Sequence, residues 1–275
     1  MLTTTHTTVA FSQRDLHDAL SRVRHAIYKE ETRYYLNGVY IHATSVGVHF
    51  VTTDGHRLAR VTVKADGDYS TMVPVILPTD FVNSAIKAIS KRSRGQLSVT
   101  MQIAANKVAL LPWGGEAIEC APVDGTFPDY LRVVPAGDPP HGIITIPREQ
   151  FQQACAALAA YWEAVQDQAP AIKLTVGADT LTLTGKPCGP HVRLGQSVQF
   201  APAIATIKDV GVTAGEDGPP PDTGFNARYL LDIAKATTDS PVLQFHCFDY
   251  GGPCLFRGAA DDAAYFVLMP TRLNI

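Results

Sequence analysis

The chain has 275 residues, 46% of them hydrophobic and 18% charged, and its 23 Lys and Arg against 26 Asp and Glu give a formal net charge of −3. This length suits two globular domains, no apolar run approaches the ~20 residues that span a bilayer, and residues 1–6 lack the basic and apolar regions of a signal peptide, so a cytoplasmic protein is expected. The slight acidity excludes nucleic-acid binding by bulk charge, and five scattered cysteines argue against a disulfide framework.

The first element is a short strand at residues 9–11. Ser12 then serves as an N-cap with Asp15 three residues on, and Leu16, Leu20, Val23 and Ile27 form the apolar stripe of a helix. Strands are expected at 38–43, 48–53 and 58–63, with Asp54-Gly55 as a tight acidic turn before the third. The same order then recurs. A strand at 75–77 leads through Pro78 at a helix entrance to a stripe of Phe81, Ala85, Ile86 and Ile89, and strands follow at 97–103, 107–112 and 117–122.

Residues 134–141, VPAGDPPH, have the Pro and Gly density of a linker, which divides the chain into domains 1–137 and 138–275. Beyond it come a strand at 143–146 and a helix whose buried face is Phe151, Cys155, Leu158, Trp162 and Val165. Strands are expected at 172–176, 181–184, 192–200 and 208–212, and GEDGPPPD (215–222) reads as a loop. Asn226 caps a fourth helix with Leu230, Ile233 and Ala234 turned inward, and strands at 242–248, 254–257 and 265–269 close the chain. The fold class is therefore α+β: four β-α-β-β-β units, two per domain, with two helices on one side of each domain and sheets on the other. Such repetition favours a quasi-symmetric assembly, of which a ring is one form.

The first helix carries Arg14, Arg22 and Arg24, and the second ends in Lys87, Lys91, Arg92 and Arg94; the fourth has Arg228 and Lys235 against Asp232. Any one of these is an ordinary solvated face. Two basic helices at equivalent positions of one repeat point instead to a surface for nucleic-acid phosphate. Asp54 and His56 lack a third partner for catalysis, and the Cys188/His191 and His246/Cys247/Cys254 groupings miss the paired short spacings of structural zinc, so no metal or cofactor is expected.

Five stretches carry a family resemblance: RYYLNGV (33–39), TDGHRLA (53–59), DGTFPDYLRVVP (124–135), GFNARYLLD (224–232) and VLMPTRL (267–273). In order and spacing they resemble the bacterial β sliding clamp, the ring that tethers the replicative polymerase to its template, and they cover the second and third of that family's three domains. The resemblance implies two tandem DNA-clamp domains, helices facing duplex DNA, sheets outside, and no catalysis. It also implies a pocket that receives short linear motifs from polymerase, clamp loader and repair proteins. By motif, its walls would be Leu36, Thr53, Gly55, His56, Arg57, Leu58, Pro128, Arg132 and Val133, with Val267, Leu268, Met269, Pro270, Thr271, Arg272 and Leu273 opposite. Thr271 stands where the family usually has an apolar Met, and Gly251 lacks an apolar side chain usual at its position. Since family rings hold six domains, a two-domain chain is expected to close as a homotrimer, with Glu116, Ile118 and Glu119 of one copy meeting His191, Arg193, Leu194 and Val198 of the next. The rival expectation is a non-encircling paralogue that sequesters clamp-binding peptides.

Overall fold

A computed structural model describes residues 6–89, 97–165, 170–185, 191–193, 196–198, 201–248 and 251–272. The chain divides into two compact units, Met1–Tyr130 and Leu131–Ile275. Among the described residues no helix is long and apolar enough to cross a membrane.

The first unit runs β1 (Thr7–Ser12), α1 (Gln13–Val23), β2 (Gly38–Thr44), β3 (Gly47–Thr53), β4 (Arg57–Val63), β5 (Val75–Pro78), α2 (Thr79–Ala88), β6 (Ser98–Ala104), β7 (Lys107–Leu111) and β8 (Ile118–Cys120). Short 3-10 turns lie at Arg24–Ala26, Glu31–Leu36 and Tyr130–Val133. Two antiparallel sheets form, and the modules exchange their first strands to build them. β1 pairs with β6 of the second module, Val9 opposite Met101, in the order β1-β6-β7-β8. β5 pairs with β2 of the first, Val39 opposite Leu77, and continues through β3 to β4. Neither module can complete a sheet alone, so the pair folds as one body.

Burial explains the helix positions. Leu16, Leu20 and Val23 of α1 and Phe81, Val82 and Ala85 of α2 are buried, α1 packs against α2, β3 and β4, and Phe11 meets Phe50 edge to face at 5.8 Å. Ser12 Oγ accepts from Asp15 N at 3.4 Å, as the N-cap expectation required. Pro78 occupies the N-cap of α2 rather than its first turn, and Thr79 donates from both N and Oγ1 to the Asn37 carbonyl.

The second unit runs β9 (Ile143–Pro147), α3 (Arg148–Val165), β10 (Ala171–Val176), β11 (Thr180–Gly185), β12 (His191–Arg193), β13 (Gln196–Val198), β14 (Ala203–Lys208), β15 (Gly211–Thr213), β16 (Thr223–Asn226), α4 (Ala227–Ala236), β17 (Val242–His246), β18 (Cys254–Gly258) and β19 (Ala264–Leu268). The same exchange recurs: β16 pairs with β10 in the sheet β14-β11-β10-β16, and β9 pairs with β17, followed by β18 and β19. α3 packs on α4. Trp162, Phe151, Phe225, Phe245 and Phe256 fill the core, the last two stacked 4.6 Å apart.

Two expected strands are corrected here. Residues 208–212 are not one strand: β14 ends at Lys208, Asp209 turns the chain at φ 59, and β15 begins at Gly211, so the fourth module starts with β16. Residues 192–200 are not one edge strand either, because β12 and β13 pair with each other, His191 opposite Val198. Gly195, a weak strand former, falls between them; Leu194 and Gly195 lie outside the described residues. The outer position of that unit's four-stranded sheet belongs to β14.

Asn226 caps α4 as expected, its Oδ1 accepting from Arg228 N at 2.9 Å and Tyr229 N at 3.4 Å. Asn226→Ala should cost about 1 kcal/mol of unfolding free energy. Urea titration of the purified chain checks this, and a midpoint equal to the parent's would mean the cap contributes nothing.

Candidate functional site

The turn between β3 and β4 is built by its own side chains. Thr53 Oγ1 donates to the Arg57 carbonyl at 2.8 Å and accepts from Gly55 N at 3.2 Å. Asp54 Oδ1 accepts from His56 N (2.9 Å) and Arg57 N (3.0 Å), and its Oδ2 meets Arg57 Nε at 2.9 Å. Gly55 has φ +88, and a Cβ there would lie 2.9 Å from Arg33 Nη1, so this position needs glycine. Arg57 reaches on to the His25 carbonyl. Burial first, and then the Arg57 charge, push the His25 ring down to about 3. Asp54 and Arg57 are thus committed to the turn, which leaves the backbone of Gly55 and His56 as its exposed tip.

Stretches up to about 90 residues apart meet around this turn. Arg33 lies over Gly55, and a Cβ on Gly125 would fall 2.8 Å from Tyr35 Cβ and 3.5 Å from the Tyr34 ring. Phe127 stacks on Tyr40 at 4.7 Å with planes 4° apart, and the Tyr130 hydroxyl is 3.0 Å from His42 Nε2. RYYLNGV, TDGHRLA and DGTFPDY therefore form one assembly in the first unit. In the second unit GFNARYLLD and VLMPTRL meet in the same way, since Thr271 N donates to the Gly224 carbonyl at 2.8 Å.

Within these assemblies the expected pocket residues sort into two groups. Gly55, His56, Pro128, Arg132, Val133, Met269, Thr271 and Arg272 are exposed, and Thr53 and Pro270 partly so. Leu36, Leu58, Val267 and Leu268 are buried, and Arg57 is nearly so. Leu273 lies outside the described residues. Two residues were not expected: Tyr34, 55% exposed, and Leu131, 61% exposed. Both sit in or beside 3-10 turns, where no helical or strand period marks the outward face, and only their place inside the shared stretches could have flagged them.

Of the expected DNA-facing residues, Arg14, Arg24, Lys87, Arg228 and Lys235 are exposed. Arg14 Nε is 3.9 Å from the Asp18 carboxylate. Arg22 is corrected: it is 5% exposed, one turn from buried Ala19 on the same flank of α1, and presents no charge to solvent. Lys91, Arg92 and Arg94 lie outside the described residues. For the expected subunit edge, Ile118 and Glu119 are in β8 with exposed Glu116 ahead of it, while His191 and Arg193 are in β12 and Val198 in β13. Glu119 pairs with Lys107 of the same sheet at 2.7 Å. Among the described residues no group of three or more His, Cys, Asp or Glu could hold a metal ion. Burial pushes the Cys120 and Cys254 thiols up to about 11 and about 12.

Paired helices over interlocked sheets, repeated in each unit, define the class as a sliding-clamp fold. Residues 10–129 match the family described as DNA polymerase III beta subunit, central domain. The beta sliding clamp of Caulobacter vibrioides is 32% identical over 269 residues, 96% of this chain and 66% of that protein. Among solved structures, the Caulobacter crescentus pol III beta is 30% identical with TM-score 0.79, covering 99% of this chain and 68% of its own. The Bartonella birtlesii clamp, solved bound to griselimycin, is 31% identical with TM-score 0.79 over 97% of this chain and 66% of its own. The chain belongs to the beta sliding clamp family. It spans 66% of the length of the first of these relatives.

Proposed function

We propose that this chain is a DNA sliding clamp: a non-catalytic, cytoplasmic processivity factor that encircles duplex DNA and tethers polymerase, clamp loader and repair proteins by short linear motifs. One observation carries the reading. The five stretches shared with the family gather into two assemblies, three stretches in the first unit and two in the second, which is expected if they serve surfaces rather than separate turns. This reading takes the clamp domains as 1–137 and 138–275, whereas the compact units divide between Tyr130 and Leu131, and no cofactor enters. The peptide surface draws on exposed Tyr34, Leu131, Val133 and Met269 for apolar anchors and on Arg132 and Arg272 for carbonyl or acidic groups.

Three copies would supply six domains, and β8, an outer strand in its sheet, is one edge of the head-to-tail contact. Exposed ion pairs between Glu116 or Glu119 and His191 or Arg193 of the next copy would be worth only ~0–1 kcal/mol each, so strand pairing and packing must hold the joint. Light scattering should give three times the 29.6 kDa chain mass, and the chain should raise polymerase processivity on primed DNA. A fluorescent peptide of Gln followed by apolar anchors should bind, and Met269→Ala should weaken it by about 1–2 kcal/mol. The burial of Arg22 thins the basic face and favours a second reading, a non-encircling paralogue that sequesters such peptides. A stable monomer that binds peptide without stimulating polymerase would establish that reading over the ring.

A further inference from the structure

A row of rings crosses the sheet face of the first unit. Phe127 stacks on Tyr40, Tyr40 on His42 at 5.2 Å, and His42 meets His49 edge to face at 5.1 Å. The row is anchored at two points: Tyr130 OH lies 3.0 Å from His42 Nε2, and Thr62 Oγ1 lies 2.9 Å from His49 Nδ1. Tyr130 opens the 3-10 turn Tyr130–Val133, which carries Arg132 and Val133, and Pro128 precedes it by two residues. The groups that face His42 are known on each side: Tyr40 from its own strand, His49 from β3, Arg60 from β4 and Tyr130 from the connector.

We propose that His42 is a positioning residue for the peptide surface, holding the 128–133 connector in place through its ring contact to the Tyr130 hydroxyl and releasing it when the ring takes up a proton. This rests on the peptide-binding reading above. In the neutral tautomer protonated at Nδ1, the Nε2 lone pair accepts a hydrogen bond from the Tyr130 hydroxyl. Protonation turns Nε2 into a donor, so the contact to the Tyr130 hydroxyl can persist only with its direction reversed, and it places a positive charge opposite Arg60 and beside His49, inside a half-buried stack. The charge is unfavourable there, and the ring gains by moving to water. Tyr130 is then without this acceptor on the sheet. Burial, followed by Arg60, already holds His42 below its ordinary value, with a backbone hydrogen bond at Ala43 acting the other way, so the neutral, accepting form prevails near neutrality.

Two measurements on the full chain test this separately from the peptide reading. Hydrogen exchange of the 128–133 backbone at about pH 7.5 should speed up about tenfold in Tyr130→Phe, the loss of roughly one hydrogen bond. In His42→Gln, whose side-chain amide keeps an acceptor, exchange should stay close to the parent's. Parent-like protection in Tyr130→Phe overturns the proposal whether or not any peptide binds. Fluorescence anisotropy with the Gln-plus-apolar peptide should then show the parent's affinity falling as the pH is lowered below the ordinary histidine range, and a flat profile in His42→Gln. A parent profile that survives in His42→Gln would assign the pH dependence to another group and overturn His42's role. Absence of any peptide binding by the parent would defeat the peptide reading and leave the exchange result to decide His42.

Discussion

Reversing Arg24, Lys87, Arg228 and Lys235 to Glu together should lower affinity for duplex DNA by about 10²–10³ near 0.1 M salt and flatten its salt dependence. All four are exposed on or beside the helices of the two units, so their removal leaves the cores intact. Each phosphate that is no longer neutralised lowers the slope of log affinity against log salt by about 0.9, so the quadruple variant should lose between about three and four. Arg22 is left out deliberately, because a buried glutamate at that position would unfold α1 rather than report on DNA. Fluorescence anisotropy on a circularised or end-blocked duplex across a salt series gives the slope. A variant with the parent's slope would show that phosphate is held elsewhere or that the chain does not hold DNA, and would move weight to the non-encircling reading.

The sequence made the elements legible wherever one periodicity dominated. The stripes of α1 and α3 were largely legible, since Leu16, Leu20, Val23, Phe151, Cys155, Leu158, Trp162 and Val165 are all buried; Ile27, expected on the first stripe, is buried too but lies beyond α1, which ends at Val23. Side-chain caps were legible too, because Ser12 and Asn226 act within three residues of their own position. Strand exchange between modules was not. β1 with β6 and β9 with β17 are pairings far apart in the chain that no local pattern encodes. The error at 208–212 arises because β-rich composition continues through Asp209, where one backbone break is enough to split a strand; at 192–200 it arises because β12 pairs with β13. At the candidate surface the shared stretches named residues but gave no sign of which of them face solvent. Leu58 and Met269 look alike in sequence, yet Leu58 is locked into the core and Met269 is 38% exposed.

Acidification should destabilise this chain before the pH reaches the range in which carboxylates titrate. Burial holds His25 down to about 3, with Arg57 adding to it; burial and then Arg60 and His42 hold His49 to about 4; burial and then Arg257 hold His246 to about 4. These folded values lie below the unfolded value of about 6.5, so the native state stays neutral where the unfolded chain takes up protons. The stability they contribute is present above about pH 6.5 and is lost as pH falls towards about 4. At about pH 5 the loss is about 2 kcal/mol for His25, and about half that for each of His49 and His246 once solvent screening is allowed for. A total near 4 kcal/mol is a large part of the ~5–15 kcal/mol that holds an ordinary domain. Urea midpoints should therefore drop steeply between about pH 6.5 and about pH 5, with about three protons taken up on unfolding, measurable by calorimetry in buffers of different ionisation enthalpy. His49→Gln with His246→Gln should shallow the drop and reduce the uptake by about two protons, leaving the share of His25 and of His42, which is also held below its ordinary value. Midpoints that stay level down to about pH 5 would mean that these rings find partners for their protonated form, or reach solvent, without loss of the native state.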